Sequence, residues 1–118
     1  MSMRLRFSVG PEAANVIRVT ARLSRAGRRT RAALWMYLSD GAEGDGLIAA
    51  APDGGVAAGT KGAILAEPVA DKVLLVQFDE NGEAELDITH AAGAKTLYVV
   101  GVMPNGALEA SRAVTFAA

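Results

Sequence analysis

Arginine is the residue type whose spacing first suggests chemistry in this chain. Arg18, Arg22, Arg25, Arg28, Arg29 and Arg31 fall within one short stretch. A guanidinium is a planar fork of donors that meets a carboxylate with two parallel hydrogen bonds. A cluster of them is therefore a candidate docking surface for an acidic protein or polysaccharide. The plain alternative is a solvated face whose charge is balanced by Glu83, Glu85 and Asp87 elsewhere. No aromatic residues interleave with the arginines, so base stacking and nucleic-acid binding are not expected.

Other reactive types are sparse. Asp40, Glu43, Asp45 and Asp53 supply the oxygens that calcium prefers, but their spacing is not that of an EF-hand loop. Each Asp-Gly pair among them is also a tight-turn signal. His90 is the single histidine of a chain with no cysteine, so no transition-metal set is expected around it. A triad of His90 with Ser24, Ser39 or Ser111 is formally possible, although none of these serines sits in a Gly-x-Ser-x-Gly elbow. Gly54-Gly55 and Gly59-x-x-Gly62 lack the Lys-Ser/Thr of a phosphate loop. Trp35 and Tyr37 share one face of an alternating segment. The expected place for Trp35 is the core, with an exposed contact patch as the alternative. Tyr98 is a candidate for a hydrogen bond to backbone at a corner. The reading is of a protein without catalytic residues, metal or cofactor.

Composition bounds what positions these residues. The chain has 118 residues, enough for one domain, and 51% of them are hydrophobic while only 5% are aromatic. Its core must be built from alanine, valine and leucine. The net charge of −1 gives no general attraction to nucleic acid or anionic membrane. The opening residues Met1 to Phe7 show no long apolar stretch of a secretion signal, and apolar runs such as Leu97 to Val100 are too short to span a bilayer. Synthesis in the cytoplasm is expected.

The apolar pattern has period two almost throughout. Leu5, Phe7 and Val9 alternate with Arg4, Arg6 and Ser8, and Gly10-Pro11 ends that strand. Ile17, Val19, Ala21 and Leu23 alternate with Arg18, Thr20 and Arg22, with a turn at Ala26-Gly27-Arg28-Arg29. From Arg31 to Ser39 both faces are apolar, which suggests a central strand or a contact surface. Residues 40–62 are rich in Asp-Gly and Gly-Gly, and predict a long excursion with one or two short strands and Leu47-Ile48 as anchor. Ala63 to Ala66 reads as a short edge strand stopped by Pro68. Lys72 to Phe78, then Ala84, Leu86 and Ile88 after the Asn81-Gly82 turn, then Thr96 to Met103 and Ala107 to Phe116 complete the strands. In the last of these, Leu108, Ala110, Val114 and Phe116 are expected anchors. A bulge near Ser111-Arg112 is needed to keep Arg112 off the apolar face. The sum is an all-β antiparallel sandwich of about seven main strands, in one domain over residues 1–118, with a long Gly/Ala/Asp-rich middle loop.

Particular runs carry a resemblance. Asp79-Glu80-Asn81-Gly82, the alternating strand to Thr89, Ala92-Gly93 and Thr96 to Val100 resemble the immunoglobulin-like domains of bacterial invasins and intimins. Asn15 to Arg31 is similar to the opening strand and turn of that family. Leu34-Trp35-Met36-Tyr37-Leu38-Ser39-Asp40, Gly44-Asp45-Gly46, Ala51 to Val56, Ala70-Asp71-Lys72 and Gly82 to Thr89 resemble small immunoglobulin-like structural proteins of tailed bacteriophages. The second resemblance implies a capsid decoration or cement protein, or a turret or fibre component. It implies a place on the virion, with the major capsid protein or other virion proteins as partners and copies of itself as neighbours. A carbohydrate-binding or adhesive immunoglobulin-like module is the alternative that the same fold would serve.

Overall fold

The computed structural model describes residues 3–29 and 31–117. All regular structure among them is strand, in the order β1 (Met3–Val9), β2 (Val16–Arg25), β3 (Arg28–Arg29), β4 (Ala33–Ser39), β5 (Val56–Ala58), β6 (Ala63–Val69), β7 (Val73–Gln77), β8 (Glu83–Thr89), β9 (Lys95–Val102), β10 (Leu108–Ala110) and β11 (Val114–Phe116). Two antiparallel sheets pack as a sandwich. One has the order β1-β2-β8-β5, with β3 extending the hairpin of β2; the other has the order β10-β9-β4-β7-β6, with β11 continuing along β9. The connectivity differs from the variable-type immunoglobulin order, in which the two extra strands precede the one that crosses to the opposite sheet. Here β5 crosses first, and β6 and then β7 return to the second sheet, β7 beside β4 and β6 outermost.

Alternation fixes which residues meet between the sheets. Ile17, Val19, Ala21 and Leu23 of β2 face inward with Ala84, Leu86 and Ile88 of β8, and all are buried. Opposite them lie Leu34, Met36 and Leu38 of β4 with Leu74, Val76, Leu97 and Val99. Shifting any of these strands by one residue would turn its whole apolar set to solvent, so the register is strongly specified. The one-residue spacing also sends Arg18 and Arg22 outward.

Three local features differ from the pattern read in the sequence. Arg28 and Arg29, expected in the turn, pair back with Arg25 and Ser24 as β3. The turn itself is made by Ala26 and Gly27 alone, both at positive φ, the geometry of a two-residue hairpin. The edge strand β6 does not stop before Pro68 but runs through it to Val69, with register shifts on either side of Ala66. At a bulged outer edge the missing N–H of proline costs no ladder bond. Leu108, expected as a core anchor, lies on the outside at 47% exposure.

The interruption expected near Ser111 is present and divides β10 from β11. Buried Ser111 replaces part of the ladder: its Oγ accepts from the Val99 N–H at 3.0 Å and donates to the Arg112 carbonyl at 2.8 Å. Arg112 is thereby turned to solvent and donates to the Val9 carbonyl of the other sheet at 3.3 Å.

The middle excursion is folded against the sandwich. Ile48 is buried and its N–H donates to the Leu38 carbonyl at 2.8 Å. Further on, the Gly54 N–H donates to the Thr89 carbonyl, and the Gly59 N–H to the Glu85 carbonyl, each at 3.0 Å. Gly59 needs to be glycine for room: a Cβ there would lie 2.7 Å from Glu85 Oε1. Gly101 has the same role at the seam between the sheets. A Cβ on it would collide with Leu5 Cδ2, so the bare backbone of β9 leaves room for the Leu5 side chain in the core.

Candidate docking surface

The outer face of the β1-β2-β8-β5 sheet carries the arginines, and its register decides which are neutralised. Arg18 stands directly opposite Asp87, and Arg22 opposite Glu83. Arg18 donates to both Asp87 oxygens at 2.8 and 3.0 Å and lies 3.5 Å from Glu85. Arg22 donates to Glu83 Oε2 at 3.0 Å, while Lys61 donates to Oε1 of the same carboxylate at 2.9 Å. The balancing acids named in the sequence, Glu83, Glu85 and Asp87, lie in the adjacent strand. These cross-strand pairs are the sheet's counterpart of helical ion pairs.

The ionisation of this ladder follows from its bonds. Hydrogen bonds from Lys61 and Arg22 hold the Glu83 carboxyl below the ordinary carboxylate range. Burial opposes ionisation of Glu85. The hydrogen bonds from the Thr60 N–H and hydroxyl, at 2.8 and 2.9 Å, together with the charges of Arg18 and Lys61, outweigh it and hold that carboxyl low as well. The hydrogen bond and charge of Asp87 raise Arg18, and those of Glu83 raise Lys61.

The remaining arginines of the cluster are placed differently. Arg25, Arg28, Arg29 and Arg31 are exposed around one end of this sheet. The structure joins to them two residues the sequence reading placed on a wet face without connecting to the cluster. In the β1–β2 register Arg6 lies opposite Arg22, and Arg4 lies opposite Ser24, itself opposite Arg29. The signal was present as Arg4-x-Arg6 in an alternating strand, but only the pairing of β1 with β2 brings it to the cluster. Two hollows border these side chains. A shallow one of about 340 Å³ is lined by Arg4, Arg6, Arg22 and Arg29 with Asn81 and Glu83. A larger one of about 500 Å³ lies between β1 and the β9–β10 hairpin, with Met3, Leu5, Met103 and Ala107 along it and Arg4, Arg6, Arg25 and Glu109 beside it.

The outer face of the other sheet is apolar. Trp35, expected in the core, is 45% exposed there. The alternation of β4 gives its inner face to Leu34, Met36 and Leu38, which leaves Trp35 and Tyr37 outside. One rung runs across the whole sheet as Leu108, Val102, Trp35, Leu75 and Ala66. The next holds Ala110, Val100, Tyr37, Val73 and Val69. The loop after β4 covers part of this second rung. Tyr37 donates its hydroxyl to the Gly44 carbonyl at 2.6 Å, and Gly44 lies against Val100. Burial raises the Tyr37 phenol above its ordinary value. The Trp35 rung is left open. No charged residue occupies an outward position of either rung.

His90 and the loop acids form a structural clasp. The His90 ring accepts the Asp53 N–H on Nδ1 at 3.1 Å, Asp53 accepts the Ala91 N–H at 2.9 Å, and Phe116 packs 5.7 Å from the imidazole. Ser39 accepts from the Gly41 N–H, and Ser111 is engaged with Val99 and Arg112, so neither meets His90. Asp40 accepts from the Ala49 N–H at 3.0 Å. Among the described residues no three carboxylates or histidines converge as a metal would need. Comparison of the chain with protein-family models, curated proteins and solved structures yields no match.

Proposed function

We propose that this protein is a non-enzymatic structural component of a tailed-phage virion, an immunoglobulin-like subunit that decorates or cements the capsid or forms a turret or fibre base. Its partners on this reading are the major capsid protein or other virion proteins and further copies of itself, on the virion surface after synthesis in the host cytoplasm. The observation that supports it best is the division of the outer surface. One face offers an uncharged apolar rung centred on Trp35, and the opposite face offers a basic edge. Edge pairing, apolar contact and charge pairing are means by which a rigid sandwich joins a shell, and many weak contacts of this kind gain strength when repeated over a lattice. The resemblance of residues 34–40, 44–46, 51–56 and 82–89 to small phage structural proteins supplies the setting.

Co-sedimentation of the purified chain with assembled capsids, together with light scattering, tests this reading. The expected result is saturable binding to shells, or an oligomer in solution. A monomer that leaves shells untouched overturns it. Exposed Trp35 also favours a second reading, a carbohydrate-binding or adhesive module, since aromatic platforms stack on sugar rings. Its neighbours in the rung, Val102 and Leu75, offer no hydrogen bonds to hydroxyl groups, and the Tyr37 hydroxyl is spent on Gly44. Binding on a glycan array that is abolished by Trp35→Ala would replace the first reading with the second.

A further inference from the structure

Strand β1 is the free edge of its sheet among the described residues. Which of its backbone groups face that edge follows from one bond. The Gly10 N–H donates to the Arg18 carbonyl at 2.9 Å, and in an antiparallel pair the bonded positions alternate. Arg4, Arg6 and Ser8 therefore exchange bonds with β2, while the N–H and C=O of Leu5 and Phe7 point to the open side. Val9 confirms the phase, because its carbonyl is met from that side by Arg112. The hollow of about 500 Å³ lies along this edge, between β1 and the β9–β10 hairpin. Its apolar lining comes from Met3, Leu5, Met103, Pro104 and Ala107. Arg4 and Arg6, which have no ion pair among the described residues, also border it, with Arg25 and a single acid, Glu109, which the register sets opposite Gly101.

The chain itself shows what such an edge accepts. On its other side β2 presents Arg18 and Arg22 to β8, where Glu83, Glu85 and Asp87 alternate with Ala84, Leu86 and Ile88. The acids bond the arginines on the outer face, and the apolar residues enter the core. The β1 edge repeats the same demand with the acidic strand missing. Arg6 even faces Arg22, whose charge is already met by Glu83, so no carboxylate of the sheet is left for it.

We propose that the β1 edge is a strand-addition site for an extended segment of a partner protein in which acidic residues alternate with small apolar ones. Main-chain bonds to Leu5 and Phe7 supply affinity, apolar side chains fill the seam over Leu5 and Met103, and carboxylates pair with Arg4 and Arg6. This is the recognition mode in which backbone pairing binds and alternate side chains select. The site names a partner segment for the docking reading above, on which it rests only for its biological setting.

The probe is a capped synthetic peptide of alternating glutamate and valine, matched in length to β1, followed by amide NMR of the whole chain. Saturable shifts at Leu5, Phe7 and their neighbours are expected. Methylating alternate amide nitrogens of the peptide should abolish binding with its side chains unchanged, and replacing its glutamates by lysine should do the same. An Arg4→Ala/Arg6→Ala chain, checked for fold by circular dichroism, should bind about tenfold more weakly or worse. No binding, shifts mapping elsewhere, or undiminished binding of the methylated peptide overturns the proposal. A chain that takes up the peptide but ignores capsids keeps this site and loses the virion setting. One that sediments with capsids and refuses the peptide loses this site alone.

Discussion

The two outer faces of the sandwich solve the same problem in opposite ways. A two-sheet protein has one inner face per sheet to bury and one outer face to present. The β2–β8 face is presented as charge, and the charge is closed by register: Arg18 on Asp87, Arg22 on Glu83, with Lys61 and Thr60 from the loop completing the carboxylates. The β4 face is presented as hydrocarbon, and only half of it is closed, by the loop that sets Gly44 on Tyr37 and Val100. Internal pairing closes a surface within the chain, while on the reading proposed above its absence is where a partner would fit. By that criterion the open places are the Trp35 rung and the Arg4–Arg6 edge, and Arg18 and Arg22, paired within the sheet, would serve as scaffold.

The largest effect is expected where the two sheets are stitched together. Gly101→Ala places a methyl group on Leu5 in the packed seam between β9 and β1. Overpacking of this kind costs about 1–3 kcal/mol, and urea unfolding should show it as a lowered midpoint with an unchanged slope. If Leu5 simply moves aside at no cost, the seam is loose and the two faces are not held at a fixed stagger. The change also crowds the apolar lining of the β1 hollow, so it should weaken the alternating peptide without touching an arginine.

Acid should separate the faces next. Glu83 and Glu85 are held below their ordinary value of 4.5 in the folded chain. A carboxyl lowered on folding contributes stability that is fully present above its unfolded value and is lost as pH falls through the folded one. Stability should therefore be level near neutrality and decline as pH drops below about 4.5. Lys61, raised above 10.5, makes the corresponding loss on the alkaline side. Glu83→Gln should flatten the acid limb of a urea-midpoint series from pH 7 to 3. If it leaves that limb unchanged, the ladder is decorative. The Trp35 rung has no titrating group and should add nothing to the slope.

The contrast also explains what could be read from the chain and what could not. Strand identity was legible because period-two alternation records which face is buried, and Ile17-Arg18-Val19 or Leu86-Asp87-Ile88 can be read in only one way. The interruption at Ser111 was legible because Arg112 would otherwise have entered the core. Trp35 was not, because both faces of β4 are apolar and alternation cannot then say which is inside. Leu108 fails for a different reason: Leu108-Glu109-Ala110 alternates as a half-buried strand would, yet its register sets Glu109 opposite inward-facing Gly101 and leaves Leu108 on the outer face. Arg4 and Arg6 were seen as exposed, but pairing partners are a property of topology. The closeness of Arg18 to Asp87, far apart along the chain, likewise appears only when β2 and β8 lie side by side.

A smaller effect tests whether the paired arginines are scaffold. Arg18→Ala and Asp87→Ala, singly and together, should show a favourable but weak coupling in a double-mutant cycle, smaller than the cost of Gly101→Ala, because both groups are partly in water and screened by salt. Neither change should alter peptide uptake at β1. Loss of uptake on Asp87→Ala would mean that the ladder, not the free edge, is the docking element.

The smallest change to the isolated chain carries the sharpest reading of the other face. Trp35 is the single tryptophan, so its fluorescence reports one place on the molecule. At 45% exposure, Trp35→Ser should shift stability by only about 0.5 kcal/mol or less, as a surface substitution does. In the dilute isolated chain the indole should emit at long wavelength and be readily quenched by acrylamide. If the apolar rung is a contact, binding to a shell or to further copies should move the emission to shorter wavelength and protect it, and Trp35→Asp should abolish that association while the fold persists. Protection already complete at high dilution would mean that something within the chain covers the rung. Exposure that never changes on assembly would leave the basic edge as the side that docks.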